Sequence, residues 1–412
     1  MNYSLLLKPR KLFAAVRSRL DRRKTMNQAI KACEQRFGND PNYRPDLVPA
    51  FFAPRPAVAQ DDSAILKRII ASYKLAKVDQ RCADEAFNVS NEWLPIYERK
   101  LGPVMKALLT ENIGELQHMY QNFFRDPCSS GLAGVPFDMD AFFKGTIKDK
   151  YRKYVLCDAL HRYDLWKMRT GNVYPANVLA SPIVGNPYGY TVEDVFVRAG
   201  GDYQHYYAHT IGQLLKSSDQ QVVVELGGGF GGLAYYLVRD NPGITFVDFD
   251  LPEALALATY YLMKTLPNLQ ISLYGEISFP EESLATPGIV MMPSFEIMKM
   301  PSKSATVSFN SYSLAEMSPS SIRTYIDQIA RITGAYILHV NHNRNAVLSA
   351  DKFGIEGHGF KLIRRELAGW TLGINPKSDE FEYLFSYPHM PHVTGFSDNA
   401  SKHGKSTLPV LT

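Results

Sequence analysis

The sequence has few cysteines, and they are widely spread. Its 412 residues include four cysteines (Cys33, Cys82, Cys128 and Cys157), with no CxxC spacing. A disulfide framework needs paired cysteines, and a structural zinc site needs clustered cysteine or histidine ligands. Neither pattern is present. We therefore expect reduced thiols, a cytoplasmic protein and no bound metal.

The chain also lacks a long hydrophobic run. It has no stretch of about 18 apolar residues, which a membrane span needs. Leu5-Leu6-Leu7 is too short for the core of a signal peptide. With 45% hydrophobic residues, the chain is nevertheless long enough to bury the cores of two domains. We expect a globular protein that does not cross a bilayer.

Positive charge is concentrated at the start of the chain. Residues 1–24 contain eight Lys or Arg and one acid, Asp21, so they carry +7 while the rest of the chain carries −3. Apolar residues at helical spacing predict a basic helix over residues 10–36. Two interpretations of residues 1–36 stay open: peripheral contact with an anionic membrane, or a solvated arm or helix packed on a second subunit of a homo-oligomer. Because the remaining chain is acidic, we expect no nucleic-acid partner.

Changes in composition divide the sequence into four parts. Five prolines between residues 40 and 58 favour extended chain and predict a linker. Helical periodicity follows, and from residue 201 short apolar strands alternate with helices. The predicted parts are a basic helix with a linker at 1–58, a helical domain at 59–200, an α/β domain at 201–397 and a flexible tail at 398–412.

The stretch with the most distinctive chemistry is VVVELGGGFGG, at residues 222–232. Its three valines predict a buried parallel strand, and Glu225 follows them directly. The glycines permit a tight backbone turn, after which helical spacing begins at Leu233. The sequence therefore predicts a glycine-rich loop at the N-terminus of a helix, which is a common form of nucleotide-binding loop.

Two acidic residues indicate which nucleotide this loop binds. Gly227, Gly229 and Gly232 match the GxGxxG pattern of dinucleotide-binding folds, but Glu225 would repel a pyrophosphate. The same carboxylate would attract an ammonium or sulfonium group. Asp250, at the end of the next predicted strand, can accept hydrogen bonds from both ribose hydroxyls. Together these residues favour S-adenosylmethionine over a dinucleotide.

Two segments of the chain resemble the motif pair of class I S-adenosylmethionine-dependent O-methyltransferases, and especially the bacterial sugar O-methyltransferases. They are ELGGGFG at 225–231 and DLP, which begins 25 residues after Glu225. The resemblance implies an α/β fold: a Rossmann-like seven-stranded sheet with a helical N-terminal domain. The cofactor-binding residues that it implies are Glu225, Gly227, Gly229, Gly231, Asp250, Ser294 and Asn310.

The resemblance also implies an activity. It is methyl transfer from S-adenosylmethionine to a hydroxyl of a sugar in bacterial surface-glycan biosynthesis, of the O-antigen or capsule type. The acceptor could be nucleotide-linked, lipid-linked or polymeric. Two alternatives stay open: a methyltransferase for a small aromatic or polyketide-like acceptor, and a non-catalytic scaffold in a glycan-assembly complex.

A sugar hydroxyl is weakly acidic, so its methylation benefits from a base. Plant-type small-molecule O-methyltransferases, which share the DLP feature, place a His-Asp pair in the loop after strand four. This chain has Ala315-Glu316 there, which makes Glu316 the first candidate for the base. His339 and His342 are alternatives near the end of strand five. Because strand residues alternate between faces, only one of them should face the site, and we retain His342 as the second catalytic candidate.

Substrate contacts are expected from two other segments. Residues 181–190 are rich in Gly, Asn and Pro, and such a rigid loop next to a cofactor domain is either a substrate lid or a connector. Its candidate substrate residues are Asn186 and Tyr188. Asn341, after strand five, is the third candidate.

Strand three has two competing positions, residues 269–274 and residues 288–292. In related O-methyltransferases this strand lies roughly 20 residues before the loop after strand four. That distance favours the later run and makes the earlier run part of an insertion.

Overall fold

The computed structural model describes residues 9–55, 60–90, 93–133, 147–216, 218, 221–343 and 346–388. The tail predicted at 398–412 and the first eight residues lie outside this range. The helices of the first half are α1 (Pro9–Phe37), α2 (Val48–Phe52), α3 (Ser63–Asp79), α4 (Leu94–Ile96), α5 (Gly102–Leu109), α6 (Ile113–Gln121) and α7 (Asp149–Arg169). A hairpin of β1 (Gly189–Val192) and β2 (Val195–Arg198) then leads into the second half.

The second half alternates strands with helices around one sheet. Its strands are β3 (Val222–Leu226), β4 (Thr245–Asp250), β5 (Ile271–Leu273), β6 (Gly288–Pro293), β7 (Ala305–Ser311), β8 (Thr333–His342), β9 (Lys361–Leu367) and β10 (Glu380–Ser386). Its helices are α8 (Gly201–Leu215), α9 (Gly232–Asp240), α10 (Pro252–Thr265) and α11 (Pro319–Ile332). All five residues of β3 are buried, as the valine run predicts.

The sheet has the strand order β5-β6-β4-β3-β7-β8-β10-β9. Strands β3 to β8 pair in parallel, while β10 pairs antiparallel with both β8 and β9. The chain moves outward from β3 to one edge and then returns to β7 on the other side of β3. Such a reversal creates a crevice at the carboxyl ends of the strands. The predicted Rossmann-like α/β fold is therefore confirmed.

Both runs considered for strand three form strands. The later run is β6, which pairs with β4 and occupies the expected place. The earlier run contributes β5, a short strand that pairs with β6 at the edge of the sheet. Ile271 and Leu273 of β5 are buried, so pairing there covers apolar side chains and the open edge of β6. Within the described residues, the sheet thus has eight strands, one more than predicted.

Two buried carboxylates fasten the helical half of the chain to α10. The Asp62 Oδ1 atom lies 2.6 Å from the Lys264 ammonium. Tyr73 donates a 3.0 Å hydrogen bond to Glu253, and Lys77 lies 3.1 Å from the same carboxylate. Because α10 follows β4 directly, these contacts hold helices over the carboxyl ends of the strands. One hydrophobic cluster also takes side chains from both halves, and the division at residue 200 stays a prediction.

The proline-rich segment is more ordered than a linker of extended chain. Within residues 40–55 it forms α2, whose Val48 and Phe52 are buried. Pro49 is compatible with this helix because it lies in the first turn, where no backbone N–H donor is needed. The buried Arg125 donates to the carbonyl oxygens of Phe52 and Ala53 and so anchors the end of α2.

The predicted N-terminal helix is present as α1, which packs on α7. Cys33 and Phe37 are buried in this contact, and Arg36 forms a 2.7 Å ion pair with Asp164. Leu20 is 59% exposed near the basic end of the helix. Within the part of the chain that the structure describes, no helix is both long enough and apolar enough to span a bilayer.

Candidate active site

A cavity of about 820 Å³ opens at the carboxyl ends of the central strands. Leu226, Phe249 and Ser311, at the ends of β3, β4 and β7, line it on the sheet side. Residues of α7, α8 and the β1–β2 hairpin line it on the other sides. Its position is that expected for a ligand site in an open α/β sheet, and its size suits a nucleoside-sized ligand.

The glycine-rich loop after β3 lies against this cavity. Residues with a side chain would strain its backbone conformation. Gly227 and Gly229 have φ values of +73° and +63°. A Cβ atom on Gly227 would lie 2.5 Å from the Ser313 hydroxyl oxygen, and one on Gly229 would lie 2.7 Å from the Leu132 carbonyl oxygen. Both glycines line the cavity. Gly231, also at positive φ, precedes α9 directly and lies outside the cavity lining, so its position indicates a turn rather than a ligand contact.

Three acidic side chains cluster beneath the loop. Glu225 is buried, and its Oε2 atom has no hydrogen-bond partner among the described residues. Burial raises the pKa of Glu225 well above its usual value, and the nearby carboxylates of Asp248 and Asp250 raise it further. Asp248 accepts a 3.3 Å hydrogen bond from the Gly228 N–H, so it supports the loop from below. None of the three carboxyl groups forms an ion pair within the described residues, so the cluster has no positive charge to balance it.

Asp250 lies at the end of β4, where the sequence places the ribose-binding acid. Its Oδ1 accepts a 2.7 Å hydrogen bond from the Leu251 N–H, and its Oδ2 accepts a 3.1 Å bond from the Gly229 N–H. Burial raises the pKa of Asp250 to about 7, although these two donors act to lower it, and Glu253 adds to the rise. Each carboxylate oxygen retains acceptor capacity for a further donor.

Ser294 lines the cavity directly after β6, as do Leu251 and Tyr325 from other segments. It completes a third side of the ligand space, beyond the glycine loop and Asp250. Five of the seven predicted cofactor residues therefore line one cavity. They are Glu225, Gly227, Gly229, Asp250 and Ser294.

Asn310 and Asn341 form a buried amide network behind the cavity. Asn310 donates to the Leu226 carbonyl oxygen at 3.0 Å and to the Ser313 hydroxyl at 2.6 Å. Asn341 donates to Asn310 Oδ1 at 2.9 Å and accepts from the Ala315 N–H at 3.2 Å. Neither residue lines the cavity. Their positions support a role in holding the loop after β7, rather than the cofactor and substrate contacts predicted for them.

Glu316 reaches the cavity from a 3₁₀ turn in the loop after β7. Its Oε2 atom accepts a 2.6 Å hydrogen bond from the indole N–H of Trp93, which also lines the cavity. This hydrogen bond uses one of the two carboxylate oxygens of Glu316. The geometry places Glu316 at the site but gives it a partner in the helical half.

His342 and His339 lie on opposite faces of the sheet, as strand alternation predicts. His342 lines the cavity, with its Nδ1 atom 3.5 Å from Oδ1 of Asp379. His339 is buried on the other face and stacks on Tyr383 at 4.7 Å between ring centroids. Burial lowers the pKa of His339 to about 3, so its ring is neutral at physiological pH. Of these two histidines, His342 is therefore the one placed to accept a proton in the cavity.

The loop that contains Asn186 and Tyr188 is pinned to the helical half. Asn186 accepts hydrogen bonds from the Arg55 N–H at 3.0 Å and from the Arg125 guanidinium at 3.2 Å, and it donates to Asn122 at 3.0 Å. These contacts occupy its side chain, which lies outside the cavity lining, so its position does not support a substrate contact. Tyr188 does line the cavity, so its contact with the substrate stays a prediction.

The cavity also contains charged residues that sequence reasoning missed. Asp158 and Arg162 on α7 form a 3.0 Å ion pair, Arg198 lies at the end of β2, and Glu380 begins β10. The i,i+4 spacing of Asp158 and Arg162 signals a helix-surface ion pair but gives no sign of a site. Asp379, which faces His342, is likewise separated from it in sequence by a loop and a strand. Tertiary contacts alone bring these residues together.

No group of three or more His, Cys, Asp or Glu side chains within the described residues has the arrangement of a metal site. The two histidines of α8 are engaged in other contacts. His205 accepts a 3.0 Å hydrogen bond from the Trp166 indole, and His209 lies 2.9 Å from the Tyr174 hydroxyl.

Comparisons with known proteins give weak similarities only. No family model matches the chain, and no curated protein matches it. Among solved structures, it is similar to the magnesium protoporphyrin IX methyltransferase of Synechocystis with bound S-adenosylmethionine, at 12% identity over 56% of this chain and 97% of that chain, with a TM-score of 0.33.

Two further solved structures have similarly low identities and TM-scores. An S-adenosylmethionine-dependent methyltransferase from Aquifex aeolicus has 15% identity over 43% of this chain and 88% of that chain, with a TM-score of 0.31. The cyclase SpnF has 11% identity over 56% of this chain and 96% of that chain, with a TM-score of 0.32. Similarities this low leave the cofactor and the substrate to be inferred from the residues of this chain.

Proposed function

We propose that the protein is an S-adenosylmethionine-dependent O-methyltransferase that acts on a hydroxyl of a sugar. The observation that supports the cofactor is the environment of Glu225. One of its carboxylate oxygens is buried without a partner among the described residues, next to a loop of glycines at positive φ. Ionising a buried carboxyl group without a positive partner is costly, and a ligand that carries an ammonium and a sulfonium group would offset that cost.

The other cavity residues fit the rest of the cofactor. Asp250 offers acceptor oxygens for ribose hydroxyls at the end of β4. Leu251 and Ser294 supply apolar and polar surface beside it for a base. A pyrophosphate, in contrast, would meet the carboxylates of Glu225, Asp248 and Asp250 at the place where a dinucleotide fold needs hydrogen-bond donors.

Bound S-adenosylmethionine supplies an electrophilic methyl group, so the protein has to align the acceptor hydroxyl and remove its proton. We assign the proton acceptor to His342. Its Nδ1 atom lies 3.5 Å from Oδ1 of Asp379, so this carboxylate is placed to orient the ring and Nε2 is left to take the proton from the hydroxyl. Glu316 is the competing candidate, but its contact with Trp93 favours an orienting role.

The acceptor side of the cavity favours a polyhydroxyl compound. Tyr154, Tyr190 and Tyr203 provide aromatic surface, which suits the apolar face of a sugar ring. Asp158 and Glu380 add carboxylates that can accept hydrogen bonds from hydroxyl groups. A flat aromatic or polyketide-like acceptor would use the tyrosines but would offer few hydroxyl groups to the remaining acceptor capacity of these carboxylates.

We further propose that the acceptor belongs to surface-glycan biosynthesis and that α1 contacts the inner face of an anionic membrane. The support is the motif resemblance together with exposed basic residues on α1, among them Arg17, Arg23 and Lys24. Cosedimentation of the purified protein with anionic vesicles at low salt tests the contact. Equal sedimentation with anionic and neutral vesicles would contradict it.

Isothermal titration of the purified protein with S-adenosylmethionine, S-adenosylhomocysteine and NAD tests the cofactor. We expect the first two to bind and NAD not to bind. Transfer of a labelled methyl group to nucleotide-linked sugars and to isolated glycans then tests the acceptor. If none of the three nucleotides bound, the scaffold alternative would replace the proposed activity.

A further inference from the structure

Arg198 is a buried cation on the wall of the cavity. It lies at the end of β2, is 3% exposed and lines the same cavity as the glycine loop. Its guanidinium group lies 4.6 Å from the ring centroid of Phe230 and 5.4 Å from that of Phe124. These aromatic contacts fix the group in place and exclude water from two sides of it.

Hydrogen bonds use only part of the donor capacity of Arg198, and its positive charge has no carboxylate partner among the described residues. Nη1 donates to the Ala199 carbonyl oxygen at 2.7 Å, and Nη2 donates to the side-chain oxygen of Gln204. Nε is buried without a partner among the described residues. Both acceptors are neutral, and within the described part of the chain no carboxylate forms an ion pair with Arg198. Arg162, the other arginine of the cavity, is paired with Asp158.

Arg198 also lies close to the N-terminus of α9, which adds to the positive potential around it. Gln204, which accepts its Nη2 bond, lies so close to Gly232 that a Cβ atom there would collide with the amide. Gly232 is the first residue of α9, a nine-residue helix. The unpaired backbone N–H groups of a helix N-terminus favour an anion, so Arg198 and the start of α9 act in the same sense.

We infer that Arg198 binds the carboxylate of the methionine part of S-adenosylmethionine, while Glu225 binds its ammonium group. This inference rests on the proposed cofactor. A buried guanidinium and a buried carboxyl group, each without an oppositely charged partner among the described residues, line one cavity beside one glycine loop. An α-amino acid group carries the two opposite charges that would match them, and a charge-assisted bidentate bond to a guanidinium is specific for a carboxylate.

The test compares the affinities of two ligands for two proteins, the wild type and the Arg198→Gln variant. Affinity is measured by calorimetry, so the test does not depend on activity. Decarboxylated S-adenosylmethionine differs from S-adenosylmethionine only by the missing carboxylate. For the wild-type protein we expect it to bind about 10- to 100-fold more weakly, since a hydrogen bond to a charged group is lost. The Arg198→Gln variant should bind S-adenosylmethionine more weakly by about the same factor and should bind the two ligands with nearly equal affinity.

Arg162→Gln is the matched control, because it removes a cavity arginine that already has a partner. It should leave the difference between the two ligands unchanged. If Arg198→Gln does not give a folded protein by circular dichroism, Arg198→Lys should keep the charge but lose the bidentate geometry and reduce the difference only in part.

The possible results separate the inference from the proposed function. If wild-type protein binds neither ligand, the proposed cofactor is wrong. If it binds both equally, if Arg198→Gln weakens both by the same factor, or if Arg162→Gln abolishes the difference, the cofactor stands and the role of Arg198 is overturned.

Discussion

The Nδ1 atom of His342 lies 3.5 Å from Oδ1 of Asp379, a carboxylate that is 4% exposed. The imidazole ring also packs on Tyr312, with ring centroids 5.3 Å apart. These residues come from the end of β8, the segment before β10 and the loop after β7. A His–Asp pair is thus present at the cavity, although the sequence has Ala315-Glu316 at the position where such a pair is expected.

Replacement of His342 tests its role as the base. We expect His342→Gln to lower kcat by about 10²- to 10⁴-fold, since that is the usual contribution of a positioned general base. Affinity for S-adenosylhomocysteine should change little, because the cofactor residues lie at the ends of other strands. Asp379→Asn should lower kcat by a smaller factor, as expected for a positioning residue. The measurement is steady-state methyl transfer together with calorimetry, and equal turnover of His342→Gln and wild type would remove the assignment.

Glu316 should act mainly through its hydrogen bond with Trp93, whose length is 2.6 Å. We therefore expect Glu316→Gln and Trp93→Phe to reduce turnover by similar factors, each less than about tenfold, because both remove the same charge-assisted contact. The double variant should be no worse than either single variant. A loss of about 10²-fold or more in Glu316→Gln, with Trp93→Phe nearly unchanged, would instead make Glu316 the base.

The parts of the molecule that the sequence predicts well depend on local pattern. The valine run of β3, the glycine loop and Asp250 lie within residues 222–250, and backbone geometry alone brings their functional groups to one end of two adjacent strands. The fold follows from the same signals, because alternating strands and helices allow few topologies. The predicted strand count is one too low because the spacing in related O-methyltransferases assigns residues 269–274 to an insertion, whereas this run forms the edge strand β5.

The acceptor side is harder to predict because its residues meet only through tertiary packing. His342 and Asp379 are joined by pairing of β8 with β10, and Arg198 reaches the glycine loop through a hairpin that no local motif indicates. The contacts of the amides are hard to predict for a related reason. Asn186, Asn310 and Asn341 lie in polar loops or at strand ends, where sequence alone does not distinguish a ligand contact from a bond to the protein itself.

Substitution of a loop glycine should disturb both the loop and cofactor binding. In Gly227→Ala, the new methyl group would lie 2.5 Å from the Ser313 hydroxyl oxygen, at a φ of +73° that alanine rarely adopts. We expect a loss of about 1–3 kcal/mol in the free energy of unfolding and a clear loss of affinity for S-adenosylhomocysteine. Gly357→Ala is the control, because a Cβ atom added there would have no other atom within 4 Å and the φ of this residue is not positive. Thermal unfolding and calorimetry of both variants check this, and equal behaviour of the two would contradict it.

Cofactor affinity should increase with pH because of Asp250. Burial holds the pKa of this carboxyl at about 7 in the ligand-free protein, against 3.8 for an ordinary Asp. Hydrogen bonds from ribose hydroxyls favour the ionised form, so binding lowers the pKa and releases protons below pH 7. Between pH 6 and pH 8 the ionised fraction rises roughly tenfold, and affinity for S-adenosylhomocysteine should rise by a similar factor and then level off.

The same raised pKa has the opposite effect on folding. Between pH 4 and pH 7 the folded ligand-free protein binds a proton at Asp250 that the unfolded chain does not, so this group makes the protein less stable as the pH rises. The pKa values of the nearby Glu225 and Asp248 are also raised, so these groups contribute to the pH dependence as well. The Asp250→Asn variant removes the contribution of Asp250 and leaves theirs. We expect that variant to bind S-adenosylhomocysteine more weakly and with less dependence on pH. Calorimetry at pH 6, 7 and 8 in buffers of different ionisation enthalpy measures both affinity and proton release, and a pH-independent wild-type affinity would rule out the role of the Asp250 carboxylate.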